Sequence, residues 1–201
     1  NKPMKPDPTF HASAKLAMQA PPENFAFTVM LGKDADQHDG LAVIDLRKGS
    51  KTYGEIVHTV MTETTGDEFH HFGWNACSSS LSPLSGHAFL ERRYLIVPGI
   101  RSSRIFIFDV KDPLNAHIHK IIEPEELFEK TGYSRPHTIH CGPEGIYVST
   151  LGGGGEDGVK ARGLAMGASS STRLLVTLRT RATRWRCAFS ILGLLNAGTD
   201  A

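Results

Sequence analysis

The chain has 201 residues, 40% apolar and 21% charged, with a formal net charge of +1. That is the composition of a water-soluble globular protein with room for one or two cored domains, and it excludes bulk electrostatic attraction to nucleic acid or membrane. Three Cys are too few and odd in number for a disulfide framework, and a reducing, cytoplasmic compartment is expected.

Residues 1–24 read as an irregular lead-in, because Pro recurs at 3, 6, 8, 21 and 22. They lack the apolar run of a signal peptide, and the chain opens at Asn1, so its start is expected to lie upstream. Short β-type runs follow: "FAFTVML" (25–31), "LAVIDL" (41–46), "EIVHTV" (55–60), "RYLIVPGI" (93–100), "RIFIFDV" (104–110), "HIHKIIEP" (117–124) and "GIYVSTL" (145–151). Only "PEELFEKTG" (124–132) has a helix's punctuation, with Pro first, acids in the first turn and Gly last.

The runs repeat. "LAVIDLRKGSKTYGEIVHTV" and "RIFIFDVKDPLNAHIHKIIEP" both read strand, Asp, basic turn, then a strand carrying a His. Asp45 and Asp109 stand 64 residues apart, His71 and His137 stand 66 apart. A fixed beat of short strands predicts an all-β solenoid or propeller. Residues 25–157 hold material for two to three blades. From 158 the composition flips to seven Lys/Arg against the single acid Asp200, with no His. Residues 158–201 are expected to be an irregular or helical basic tail, poorly ordered and read out of frame. The apolar stretch "CAFSILGLLNAG" is too short to span a bilayer as a helix.

Two stretches carry chemistry. "GDEFHHFGWNACSSS" (66–80) offers His70, His71 and Cys77, and "SRPHTIHCGPEG" (134–145) offers His137, His140 and Cys141. Imidazole suits Cu, Zn or Fe. A single His is more often structural, but recurrence of the pair on successive repeats favours a metal centre at His70, His71, His137 and His140, with Asp67 or Glu68 as a further ligand or as an orienting partner. On a straight strand adjacent His residues face opposite ways, so the first pair must converge from a strand start or loop. The second must converge from a bend at Pro136. Cys77 and Cys141 follow the His pairs, where a thiol is available as thiolate, although a small buried hydrophobe is the alternative role. Phe72 and Trp74 are placed either as walls of a small apolar pocket or as core. No phosphate loop, nucleophile elbow, kinase or zincin signature is present.

Taken together, "AMQAPPENFAF", "DEFHHFGWNACSS", "ERRYLIVPGIRSSRI", "HKIIEPEE" and "GYSRPHTIHCGPEGIYVSTLGG" resemble the selenium-binding protein family, which includes methanethiol oxidases. The resemblance covers about residues 8–157. It implies an N-terminal part of a seven-bladed β-propeller. The implied activity is oxidation of methanethiol by oxygen and water to formaldehyde, hydrogen sulfide and hydrogen peroxide at a copper centre on His70, His71, His137 and His140. The same resemblance places reactive thiols at Cys77 and Cys141 and a small thiol as partner. Its alternatives are a non-catalytic protein carrying selenium on Cys, or an inactive truncated product. Many relatives read Cys-Ser-Ser-Cys where this chain has Cys77-Ser78-Ser79-Ser80, and the family's later blades carry further His.

Overall fold

The apolar runs fold as strands of three successive sheets in a computed structural model that describes residues 5–85, 89–143, 145–153, 172–180 and 183–191. The first sheet joins β1 (Phe25–Met30), β2 (Gly40–Asp45) and β3 (Ile56–Met61) in antiparallel order β1-β2-β3. The second joins β4 (Gly73–Trp74), β5 (Tyr94–Pro98), β6 (Ile105–Asp109) and β7 (His117–Ile122) as β4-β5-β6-β7. Helix α2 (Pro124–Thr131), preceded in the chain by a single turn, α1 (Ala14–Ala17), leads into the third sheet. There β8 (Tyr133–Gly142) pairs antiparallel with β9 (Gly145–Gly153). This is the all-β, blade-by-blade architecture expected of part of a propeller.

Why β5 and β6 read as unbroken apolar runs is visible in their two faces. Leu95, Val97, Phe106 and Phe108 face the first sheet and pack with Leu41, Val43 and Phe69. Tyr94, Ile96, Ile105 and Ile107 face the third sheet and pack with Leu127, Ile139, Ile146 and Val148. Both faces are buried, so alternation disappears from the sequence.

The repeat holds down to single bonds. The ladder shifts register between Val43 and Ile44 against β3, and again between Ile107 and Phe108 against β7. Asp45 and Asp109 end their strands buried, and each accepts the N–H two residues on, from Arg47 at 2.8 Å and Lys111 at 3.1 Å. The side chain of Arg47, followed by the Thr52 hydroxyl, holds Asp45 well below the usual carboxylate range. Burial alone would raise Asp109, but hydrogen bonds from Arg93 and Lys111 outweigh it. Ion pairs tie the strand ends: Arg93 with Asp109 at 2.5 Å, and Arg104 with Glu123 at 2.9 Å.

Two segments differ from expectation. Residues 133–142 form a strand, β8, rather than a bend. Pro136 is accommodated because the pairing with β9 shifts between Pro136 and Thr138, and a bulge tolerates a residue without an N–H. In the tail, 172–180 and 183–191 are strands, β10 (Thr172–Thr180) and β11 (Thr183–Ile191), not helix; β11 lies parallel to β9 and antiparallel to β10. The sequence there alternates with period two, as in Trp185, Cys187, Phe189 and Ile191, which is a strand's spacing. The remainder of 158–201 lies outside the described residues. Among the described residues no helix is long and apolar enough to cross a membrane.

Candidate metal centre

The site lies where the first strands of the second and third sheets run side by side. Residues 67–71 are pinned against the turn after β5: His70 N–H donates to the Pro98 carbonyl at 2.9 Å, Ile100 N–H to Glu68, and Arg101 N–H to Asp67. Phe69 is the anchor of this run. Its ring is 2% exposed and meets Phe106 and Phe108 edge-on, with centroids 4.9 and 6.1 Å away. Its N–H donates to the buried carboxylate of Asp39, which also accepts Gly32 N–H.

On the other side, His71 bridges Thr138 in parallel, and Ile139 N–H donates to the His71 carbonyl at 2.9 Å. The strands approach closely because residue 73 is Gly: a Cβ there would stand 2.8 Å from the Ile139 carbonyl oxygen. Gly73→Ala is therefore expected to force β4 and β8 apart, costing about 1–3 kcal/mol in denaturant unfolding and weakening metal binding in the same variant.

Backbone strain recurs at corresponding places. Glu68 and Arg135 each precede a site His by two residues, and each has positive φ (54° and 55°) without being Gly. Such conformations cost of order 1–3 kcal/mol and persist where surrounding contacts impose them, often at functional sites. Here those contacts are the 98–101 turn for Glu68 and the Ser103 hydroxyl, 2.9 Å from Arg135 N–H. The kinks turn the following imidazoles toward one centre.

His70, His71 and His137 meet. Ring centroids lie 5.6 Å apart for 70–71, 4.6 Å for 70–137 and 4.8 Å for 71–137, and one ligand nitrogen from each falls within 4.8 Å of the others. At metal–nitrogen lengths of about 2.0–2.1 Å, ligand nitrogens stand about 3.3–3.6 Å apart, so ring movements of about an ångström close the set. The donor set fits an imidazole-loving metal such as copper or zinc. Glu68 stands 3.3 Å from His70 Nε2 and also pairs with Arg101, so it orients rather than joins the cluster. The Thr138 hydroxyl meets His137 Nδ1 at 2.8 Å, leaving Nε2 toward the cluster. Asp67 is committed elsewhere, to Thr64 and Arg104.

Burial, and then the neighbouring His70 and His71, lower the His137 pKa, which favours the neutral, ligand-competent ring. His119 in β7, whose ring lies against Tyr94 of β5, is also lowered, by burial first. A folded pKa below the ordinary 6.5 means the unfolded chain binds more protons in acid. Stability is thus complete above about pH 6.5 and is lost as pH falls through the folded values. The metal-free protein should show a lower urea midpoint at pH 5 than at pH 7.5, and His119→Gln should flatten that difference.

The other expected site residues lie elsewhere. His140 is exposed and its Nδ1 contacts the Cys141 carbonyl at 2.9 Å, so it does not join the cluster. Past the bulge at 137 the strand is regular, and buried Ile139 facing inward turns His140 out. Cys77 and Cys141 form a disulfide with Cα atoms 6.2 Å apart. Neither is a free thiol, against the expectation from an odd, sparse Cys count. Phe72 and Trp74 pack toward the first sheet, Trp74 edge-on to Phe27 at 5.6 Å and beneath Arg92. With Phe25 and Phe27 they line a cavity of about 640 Å³ there. Alternation explains it: His71 and Gly73 take one face of the strand, Phe72 and Trp74 the other. Sequence reasoning missed Asp39 and Thr138, since neither carries a spacing signal.

Comparison with known proteins identifies the family. Residues 4–172 match the model of the 56 kDa selenium-binding protein family, which extends past the change in composition at 158. Selenium-binding protein 2 of Arabidopsis thaliana is 40% identical over 71% of this chain and 29% of its own length. Methanethiol oxidase of Danio rerio is 38% identical over 68% of this chain and 30% of its own. The X-ray structure of a hypothetical selenium-binding protein from Sulfolobus tokodaii superposes with a TM-score of 0.69 at 53% identity, covering 73% of this chain and 33% of that one. The chain thus spans about three-tenths of the curated relatives it matches. With its blade-like sheets and its matched motifs, the chain belongs to the 56 kDa selenium-binding protein family.

Proposed function

We propose that the intact protein oxidises methanethiol with oxygen and water to formaldehyde, hydrogen sulfide and hydrogen peroxide, at a copper ion held by His70, His71 and His137. The observation that carries this reading is the convergence of three imidazoles from two successive sheets, in a chain similar to proteins named methanethiol oxidase. Bound copper would supply both electron exchange with oxygen and affinity for a thiolate, whereas zinc binds thiolate but has no redox chemistry. The chain's own residues hold and aim the ligands: Glu68 sets the His70 ring, Thr138 sets the His137 tautomer, and lowered basicity keeps His137 unprotonated at neutral pH.

The test is turnover by the intact, copper-loaded protein in a sealed vessel, following methanethiol loss and hydrogen sulfide release. No turnover in metal-replete protein would remove the assignment. A second reading, selenium carriage on Cys77 or Cys141, is favoured by relatives named selenium-binding protein; it requires an adduct by mass spectrometry after selenite treatment that is lost on Cys77→Ser or Cys141→Ser. A third, an inactive product read out of frame from 158, is tested by resequencing the codons for 152–160. We place the protein in the cytoplasm, on its sparse Cys content.

A further inference from the structure

We propose that the Cys77–Cys141 bond is a thiol-exchange site, at which a small thiol is captured as a mixed disulfide on Cys141. The inference rests on the cytoplasmic and small-thiol reading above. Disulfides in the reducing compartments of mesophiles are, when present, usually transient and catalytic or redox-sensing. This one is isolated, in a chain with no disulfide framework, and both half-cystines are only partly buried.

The environment of the two sulfurs differs, and the difference sets the direction. Ser79 Oγ lies 3.0 Å from Cys77 Sγ; a disulfide sulfur has no hydrogen to give, so the hydroxyl donates to it. A donor there stabilises negative charge building on Cys77, which makes Cys77 the better leaving group. An incoming thiolate RS⁻ therefore attacks Cys141 Sγ. The RS–S(Cys141) bond forms, the Cys77–Cys141 bond breaks, and Cys77 departs as thiolate beside the Ser79 hydroxyl. A second thiolate attacking the mixed disulfide releases RSSR and leaves both cysteines reduced. Two thiols have then lost two electrons in all and the protein disulfide has gained them, with the two thiol protons passing to the cysteine thiolates.

Opening the bond would free a particular seam. Cys77 precedes the short 3₁₀ turn Ser78–Leu81, and Cys141 is in β8, four residues beyond His137 and about 13 Å along the strand. The bond thus joins the segment after β4 to β8, the two strands whose approach assembles the imidazole cluster.

The test uses the intact protein, purified in air and treated with chelator, with glutathione as probe. Non-reducing peptide mapping should find residues 77 and 141 linked. Brief glutathione treatment followed by alkylation should give glutathionyl-Cys141 and alkylated Cys77. Ser79→Ala should slow that step by about tenfold or more, the usual worth of a hydrogen bond to a charged group. Both cysteines alkylating before any thiol is added, a linked pair inert to glutathione, or an adduct that falls on Cys77 would each overturn the proposal. Because the readout needs no metal and glutathione is not the proposed substrate, exchange without oxidase turnover would refute only the oxidase, and turnover without exchange only this inference.

Discussion

His137→Ala is expected to lower the affinity of the intact protein for copper by about 100-fold or more, and His140→Ala to change it by less than about threefold. Competition against a chelator of known affinity measures both. The two residues are three apart on one strand, yet β8 separates them completely. His137 sits in the bulge, two residues after a positive-φ Arg135, with its ring 4.6 and 4.8 Å from His70 and His71. His140 is exposed with its ring on a backbone carbonyl. Losing one of three imidazoles leaves a two-coordinate remnant; losing an outward His removes nothing the metal touches. Equal effects of the two substitutions would show that the centre is drawn around the wrong residues.

Phe69→Ala is the second large effect: about 3–5 kcal/mol of unfolding free energy, the range for truncating a buried Phe. Its ring is enclosed by Phe106 and Phe108 in the core between the first two sheets, and little there can collapse into the void because β-sheet backbones hold both neighbours in place. The same substitution should weaken copper binding, since Phe69 is covalently adjacent to His70 and its backbone N–H is fixed by buried Asp39. Leu127→Ala, the buried residue of α2 that packs in the core with Ile139 and Ile146, serves as a control with a comparable stability cost. A copper affinity lowered equally by both would mean that the effect is loss of folded protein and not of ligand placement.

Between these two variants lies the division between local and long-range determination. Strand identity was legible for β1, β2, β3, β5, β6, β7 and β9, because β-branched and aromatic runs bounded by turn residues are a local property. Helix α2 was legible for the same kind of reason, as its Pro, acids and terminal Gly132 act within the helix itself; Gly132 takes the left-handed φ of 71° that ends it. The repeat was legible because Asp45 and Asp109 close equivalent turns through their own neighbours. β8 was not, because Pro136 reads locally as a bend, whereas the strand is held by its ladder with β9, shifted at that Pro, and by the carbonyl of His71 from another sheet. The β10 and β11 strands differ from expectation for another reason: their period-two alternation lies within a basic stretch whose composition points to an irregular or helical tail.

The candidate site divides the same way. Residue chemistry alone nominated His70, His71, His137 and His140, since paired imidazoles on successive repeats are rare enough to stand out. Which three converge was decided by tertiary structure: by Gly73 admitting the Ile139 carbonyl, by the bulge at 137, and by two strained residues turning the chain. The Cys77–Cys141 pairing, the service of Asp39 and Thr138, and the rotation of Phe72 and Trp74 into the neighbouring interface were likewise beyond reach of sequence. Sequence specifies which groups a strand offers to each of its faces; only the packing of one sheet on the next determines what each face meets.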